Sequence, residues 1–409
     1  MLGRGSVFRW QTAAVNFGMF ITGRVLGGLS CGIIYAICPT YAAEVSPPKI
    51  RGHVGMVYAL NISIGYAVTE WLGLGFYFIP GEASWRVLFG LQFIPTILMS
   101  IGSFWMPESP RWLALKGRYE EALEVLRRIH SGVDQHDGGE EFYQREYHQI
   151  RAQIELDKEE QLGLKDIFRK PSYRKRVLLV IGFFLFQQLT GFIPLQNYQV
   201  LIYSFAGLTE VEVLVMIGVW GTWVVITVLC LSPWMDRIGR RKSLFTAYGF
   251  IIAGSLITVI AWARFEARGS SVIPLGAGII VGMFVLAFGY GGVMNTFAPV
   301  YASEIMPTCM RAAGVSCGYA TFNIIVIVLV QITPLAIERI SWRYFLIFHI
   351  CDLIYGVLFY FFYPETKGKT LEEIQAVFGD NIAETLEEAG EKVVQERKGA
   401  AAEHREEAA

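Results

Sequence analysis

Long apolar runs alternate with polar segments along this chain of 409 residues. A helix needs roughly 20 mainly apolar residues to cross the bilayer, and lipid offers no partner for unpaired backbone groups. The runs are continuously apolar and too long for barrel strands, so they predict membrane-spanning helices. Nine stretches qualify: residues 18–43, 54–78, 86–106, 177–205, 211–234, 244–264, 273–300, 312–337 and 342–363.

A charged segment divides these stretches into three before it and six after it. We therefore predict an all-α membrane protein with four regions, listed here: an incomplete three-helix bundle at 1–106, a helical loop at 107–176, a six-helix bundle at 177–363 and a tail at 364–409. Within the loop, Tyr119, Ala122, Leu123, Leu126 and Ile129 recur at helical spacing and predict an amphipathic helix. A more polar helix is expected over 140–161, and a disordered end to the tail.

Lysines and arginines set the orientation, because cytoplasmic loops carry an excess of both. They are concentrated in loops at one end of the predicted helices, above all in residues 107–176. This places the loop and the tail in the cytoplasm and the N-terminus outside.

Composition supports the membrane prediction. The chain is 53% hydrophobic and 17% charged, whereas soluble domains carry about a quarter charged residues. The net charge of −1 gives no sign of a nucleic-acid partner. The six cysteines form no CxxC pair, so neither a disulfide framework nor a metal site is expected.

One motif occurs twice. Residues 39–52 and 299–314 share the pattern P-x-Y-x-x-E-x-x-P-x-x-x-R, which aligns Glu44 with Glu304 and Arg51 with Arg311. Such repeats are common in transporters built from two related bundles.

With five further motifs, the chain resembles the sugar porter family of the major facilitator superfamily, in a fungal-like form. Those motifs are Gly23-Arg24 with Gly27, Gly28 and Gly32, the PESPRWL at 107–113, the QQLTG at 187–191, and the pair DRIGRR at 236–241 and PETKG at 364–368. The resemblance covers residues 20–375. It labels the nine stretches as the family's helices four to twelve, with helices one to three missing; an incomplete gene model or splice variant is the simplest explanation.

The resemblance implies a gating role for charged residues at helix ends, through salt bridges that break as the bundles rock. The residues are Arg24, Glu44, Arg51, Glu108, Arg111, Asp236, Arg237, Arg240, Arg241, Glu304 and Arg311. The alternative is that they only set topology and cap helices.

The substrate site is expected near the middle of the membrane, where amides can donate to and accept from sugar hydroxyls. The resemblance implies that Gln187 and Gln188 contact sugar, although helix packing is an alternative for both. Further candidates are Thr190, Asn197, Tyr198, Asn295, Thr296, Asn323 and Asn61.

Three positions depart from the family pattern: Ile193, Pro299 and Ala59 stand where members commonly have Asn, Trp and Gln. These departures indicate a preference other than glucose, such as a disaccharide, polyol or sugar acid. Glu70, His349 and Asp352 are ionisable groups inside apolar runs, each either functional or a satisfied core group.

We therefore predict transport of a sugar or related polyhydroxylated solute by alternating access, as uniport or proton symport, in the plasma membrane. No cofactor is expected. The sequence contains no GxxxxGK[ST] loop and no visible catalytic constellation, so an enzyme is not expected. Two alternatives stay open: a non-transporting sugar sensor of the same fold, and an inactive truncated product.

Overall fold

The computed structural model is α-helical, with no strand among the residues it describes, which are 11–46, 51–130, 139–159, 170–268, 273–307, 310–367, 369 and 371–379. The first part contains α1 (Phe17–Val45), α2 (Arg51–Tyr77), α3 (Ala83–Gly90) and α4 (Phe93–Gly102). The loop region contains α5 (Pro110–Leu115), α6 (Tyr119–His130) and α7 (Gly139–Glu159). The predicted disorder near the C-terminus concerns 380–409, which lie outside the described residues.

The rest of the chain forms the larger bundle. Its helices are α8 (Pro171–Gln188), α9 (Phe192–Asn197), α10 (Gln199–Phe205), α11 (Glu210–Ile238), α12 (Arg240–Ala267), α13 (Ile273–Gly289), a π-helical turn (Tyr290–Met294), α14 (Asn295–Ile305), α15 (Arg311–Ile340), α16 (Arg343–Phe362) and α17 (Leu371–Val377). A continuous core of buried aromatic and aliphatic side chains joins these helices.

Seven helices in the described part of the chain are long and apolar enough to cross a membrane, judged by length and composition alone. They are Phe17–Val45, Ala83–Gly102, Glu210–Leu231, Arg240–Ala267, Leu275–Ile305, Arg311–Ile340 and Arg343–Phe362. Two other predicted stretches fall outside this set for physical reasons. In α2 the polar residues Asn61 and Glu70 lower the mean hydropathy, and the stretch at 177–205 is broken into α8, α9 and α10.

Small residues allow close helix packing inside the larger bundle. α12 and α13 lie against each other over much of their length. A Cβ on Gly254 of α12 would overlap the backbone of Leu286 in α13, so only glycine fits there. Backbones approach this closely in membrane bundles because van der Waals packing and hydrogen bonds, rather than water exclusion, hold the helices together.

The loop region is helical over much of the part that the structure describes. The amphipathic helix is α6 and the polar helix is α7. Their apolar faces meet α5 in a small separate core that includes Leu113, Leu126 and Ile150. At the start of α5, the Ser109 hydroxyl accepts the Trp112 N–H at 3.3 Å and Pro110 occupies the first turn, so the SPRW sequence acts as a helix cap.

Candidate functional site

A hollow lies between the first part of the chain (α1 to α4) and the larger bundle; these are called the two parts below. Its volume is about 830 Å³, including open solvent at its mouth. The first part contributes α1 and α2, with Tyr35, Tyr58, Ile62, Ser63, Tyr66 and Glu70. The second contributes Phe184, Gln187, Phe192, Ile193, Gln196, Trp220, Gly221, Val224, Tyr290, Gly291, Asn295, Ala298, Pro299, Tyr319 and Phe322. Aromatic rings and amides therefore dominate the wall.

Two irregular backbone segments meet at this wall. The first is the break after Gln188, where Gly191 takes a left-handed conformation (φ +79°) and a Cβ would come within 3.1 Å of the Phe348 ring. The second is the π-helical turn that begins at Tyr290. The Phe192 and Tyr290 rings stack face to face, with centroids 3.9 Å apart. Irregular backbone at membrane depth is tolerated where it is enclosed in protein or lines a cavity.

Gln187 is part of the wall of the hollow, whereas Gln188 lies outside that wall. The side chain of Gln187 is 2% exposed and its Oε1 has no hydrogen-bond partner among the described residues. Gln188 is fully buried outside the wall, and its amide is directed at the Tyr290 hydroxyl. Tyr290 lies close to both amides. Buried polar atoms without partners are costly, so their presence at a cavity points to a ligand or water that satisfies them.

Only one other predicted ligand, Asn295, is part of the wall. Six candidates lie elsewhere: four bond to the backbone of the turn that precedes them, Tyr198 bonds to α15, and Thr296 packs towards α2. Thr190 donates to Gln187 O (2.9 Å), Asn197 to Ile193 O (3.1 Å), Asn61 to Val57 O (2.8 Å), Asn323 to Tyr319 O (2.7 Å) and Tyr198 to Val330 O (2.5 Å), while Thr296 is buried near Gly55.

Sequence reasoning missed much of the wall. Gln196 precedes the predicted Asn197, and a helical count from Phe192 through Gln196 would have selected it. The tyrosines of α1 and α2 carry no motif, although Tyr58, Ile62 and Tyr66 recur at helical spacing. The π-helical turn has a local signal in Gly289, Gly291 and Gly292, which belong to none of the motifs described above.

At one end of the helices, an ion pair between described residues joins the two parts. Arg311 of α15 donates through Nη1 to Glu44 Oε1 of α1 at 2.8 Å, with the two side chains 0% and 12% exposed. Glu44 Oε2 accepts from the Ser109 hydroxyl at 2.6 Å, and Arg311 Nε donates to Ser303 O at 2.9 Å. Each partner of the pair is therefore held by a second hydrogen bond.

A second network of polar contacts connects helices within the larger bundle. Arg240 contacts Glu304 Oε1 at 3.4 Å, and both side chains are buried. Thr366 donates to Glu304 Oε2 at 2.6 Å. Glu365 accepts the backbone N–H groups of Arg240 and Arg241 at 2.9 Å and so caps α12, in keeping with the attraction of helix N-termini for anions.

The other predicted gating residues differ in their surroundings. Arg24 is exposed and its guanidinium lies 5.9 Å from the Phe89 ring, away from both networks. Glu108 is exposed, whereas Arg111 is buried. Arg241 donates to Tyr360 O, and the Arg237 carbonyl accepts from Lys367 at 2.8 Å. The side chains of Arg51 and Asp236 lie outside the described residues.

Membrane-spanning helices in two parts, with a polar and aromatic hollow between them, define a multi-pass membrane transport protein. Residues 6–378 match the family described as "Sugar (and other) transporter". The chain belongs to this family, within the major facilitator superfamily, and is a transporter rather than an enzyme.

Relatives and solved structures agree with this assignment. The chain is 31% identical to a high-affinity glucose transporter of Kluyveromyces lactis, over 91% of this chain and 70% of the relative. It is 28% identical to a probable polyol transporter of Arabidopsis thaliana, over 90% of this chain and 77% of the relative. Its fold matches the proton:xylose symporter XylE of E. coli with a TM-score of 0.76 and 20% identity, covering 92% of this chain and 80% of the other.

Proposed function

We propose that the chain carries a neutral sugar or polyol across the membrane by alternating access, with the solute held in the hollow. The observation that carries the proposal is the unpartnered carbonyl oxygen of Gln187 at the wall between the two parts. A sugar hydroxyl can donate to that oxygen, and the amide can donate in return. The relatives named for glucose and polyol transport support the same substrate class.

The composition of the wall suits a polyhydroxylated ring. Gln187, Gln196 and Asn295 offer amides from three helices, while Tyr290 and Trp220 add aromatic groups. Sugars bind between such groups because their hydroxyls form hydrogen bonds and their C–H faces pack on aromatic rings. Ile193 and Pro299 are also in the wall, so two positions that carry polar or aromatic groups in many family members present apolar surface here.

The ion pair between Glu44 and Arg311 supports rocking of the two parts. It joins α1 to α15 on one side of the hollow, and it must break for the solute to leave on that side. The networks around Glu304 and Glu365 stay within the larger bundle, so we assign them to holding that bundle rigid as it moves. Carriage could be facilitative or coupled to protons, and the plasma membrane is the proposed location.

Counterflow in proteoliposomes tests the proposal. Vesicles with the purified full chain are loaded with unlabelled glucose, xylose or sorbitol and then exposed to the labelled solute. We expect transient accumulation of at least one of the three, and loss of most of it in Gln187→Ala. Asn323→Ala is the matched control, since this exposed amide lies outside the wall. No accumulation of any solute, or equal loss in both variants, would contradict the proposal.

A further inference from the structure

The wall of the hollow carries one formally acidic residue and no basic one among its described members. Glu70 of α2 is that residue; lysine, arginine, histidine and aspartate do not occur among the residues of the wall. The remaining polar members are amides, hydroxyls, phenols and an indole. A solute in the hollow therefore meets a single carboxyl group and no compensating positive side chain.

The larger bundle holds this carboxyl in place. Its Oε2 is buried against α11 at Gly221, where a Cβ would overlap the oxygen. The neighbouring Trp71 stabilises the same contact between α2 and α11, because its indole N–H donates to the Thr222 hydroxyl at 2.9 Å. Glycine at 221 thus makes room for the carboxyl between the two parts, at the edge of the hollow.

No basic side chain among the described wall residues neutralises the group. No described side chain bonds to Oε2, and the backbone of Gly221 is the polar contact of the carboxyl. The titratable side chains that face it are Tyr66 on its own helix and Tyr203 of α10, and phenols of ordinary acidity are uncharged at pH 7. A half-buried carboxyl without a cationic partner at the edge of a cavity is a functional-site candidate, because a structural ion pair would bring such a partner.

We propose that Glu70 is a specificity-determining residue of the hollow, which makes it accept neutral polyhydroxylated solutes and amino sugars and reject sugar acids. The proposal rests on the proposed function and deepens it. Hydroxyl groups can donate to the free carboxylate oxygen, and a protonated amine can form a charge-assisted hydrogen bond with it. A second carboxylate in the same low-dielectric space is repelled, because no cation offsets the two like charges. This excludes the sugar acids that the sequence alone left open.

Competition in the counterflow assay at pH 8 tests this. With glucose as the labelled solute, glucosamine and glucuronate are the matched cationic and anionic competitors; with sorbitol, gluconate is the anion. We expect the anion to compete at least about tenfold more weakly than the unlabelled neutral solute, and glucosamine to compete as well or better. In Glu70→Gln the difference in competition strength between the anion and the unlabelled neutral solute should become severalfold smaller.

Glu338→Gln is the control, since this carboxylate is exposed on α15 and outside the wall. It should keep the wild-type ranking. An anion that competes as well as the neutral solute in the wild type overturns the inference while leaving the proposed function intact, and so does an unchanged ranking in Glu70→Gln. If that variant does not fold, the wild-type ranking alone decides. A wild type that carries no neutral solute fails the proposed function itself, and the inference falls with it.

Discussion

Glu44 pairs with Arg311, so the glutamate of one motif copy contacts the arginine of the other at 2.8 Å. The two copies share the pattern P-x-Y-x-x-E-x-x-P-x-x-x-R. A duplicated motif thereby yields a contact between the two parts of the transporter, on the cytoplasmic side predicted by the lysine and arginine distribution. The pair is largely buried, so its loss leaves an uncompensated charge, a change that costs about 3–5 kcal/mol in buried sites.

We expect Glu44→Gln to reduce transport by about tenfold or more, because the state closed at the cytoplasmic side loses its ion pair. Hydrogen exchange of the helix ends around residues 39–46 and 299–305 should become faster in the same variant. The charge-reversed double variant Glu44→Arg with Arg311→Glu should recover part of the activity. Recovery will be incomplete because Ser109 and Ser303 are placed for the original charges. A double variant no better than the single ones would remove the gating role.

Glu304 should matter more for transport than for surface expression. Glu304→Gln removes the charge facing Arg240 but keeps an acceptor for Thr366. We expect a severalfold fall in uptake rate at an unchanged amount of protein in the membrane. Thr366→Val is the matched comparison, since it removes the hydrogen bond and leaves the ion pair. If both variants transport at the wild-type rate, this network is structural only.

Replacing Gly191 at the helix break is expected to destabilise the fold. Gly191→Ala combines a left-handed backbone with a Cβ 3.1 Å from the Phe348 ring. The control is Gly207→Ala, which has φ +94° but nothing within 4 Å. Backbone strain alone costs about 1 kcal/mol, so the control should lower the thermal midpoint by a few degrees and Gly191→Ala by clearly more. Equal shifts would show that the contact with Phe348 is unimportant.

The membrane-helix architecture could be predicted from the sequence because apolar length and charged loops are local signals. The break at residues 187–191 lay inside a recognised motif, and the duplicated motif contains both Glu44 and Arg311. The wall of the hollow was harder to predict. An amide such as Asn61 or Asn323 looks the same in sequence whether it faces a cavity or bonds to the preceding helical turn, as both do here.

The role of small residues was also outside the reach of sequence reasoning. The position of the Glu70 carboxyl depends on which face of α11 carries Gly221. Packing between helices far apart in the chain decides which face of α11 meets α2. The pairing of Glu365 with the start of α12 is similar, because a PETKG motif gives no distance to the helix that it caps. Long-range packing, rather than local propensity, fixes both relationships.

Tyr35 and Tyr319 stack on each other at the wall of the hollow, with ring centroids 5.3 Å apart and planes 15° apart. The pair joins α1 to α15 and forms part of the wall, so it can pack against the carried solute and also hold the two parts together.

Tyr35→Phe keeps the ring and removes the hydroxyl, whereas Tyr35→Leu removes the aromatic face. Aromatic pairs contribute about 0.5–1.5 kcal/mol beyond the area they bury, so we expect the leucine variant to raise the KM for the carried solute by about threefold to tenfold. The phenylalanine variant should stay within about twofold of the wild type, because stacking needs only the ring. Uptake kinetics in proteoliposomes measure both values. An equal rise in the two variants would assign the role to the hydroxyl and reject stacking as the cause.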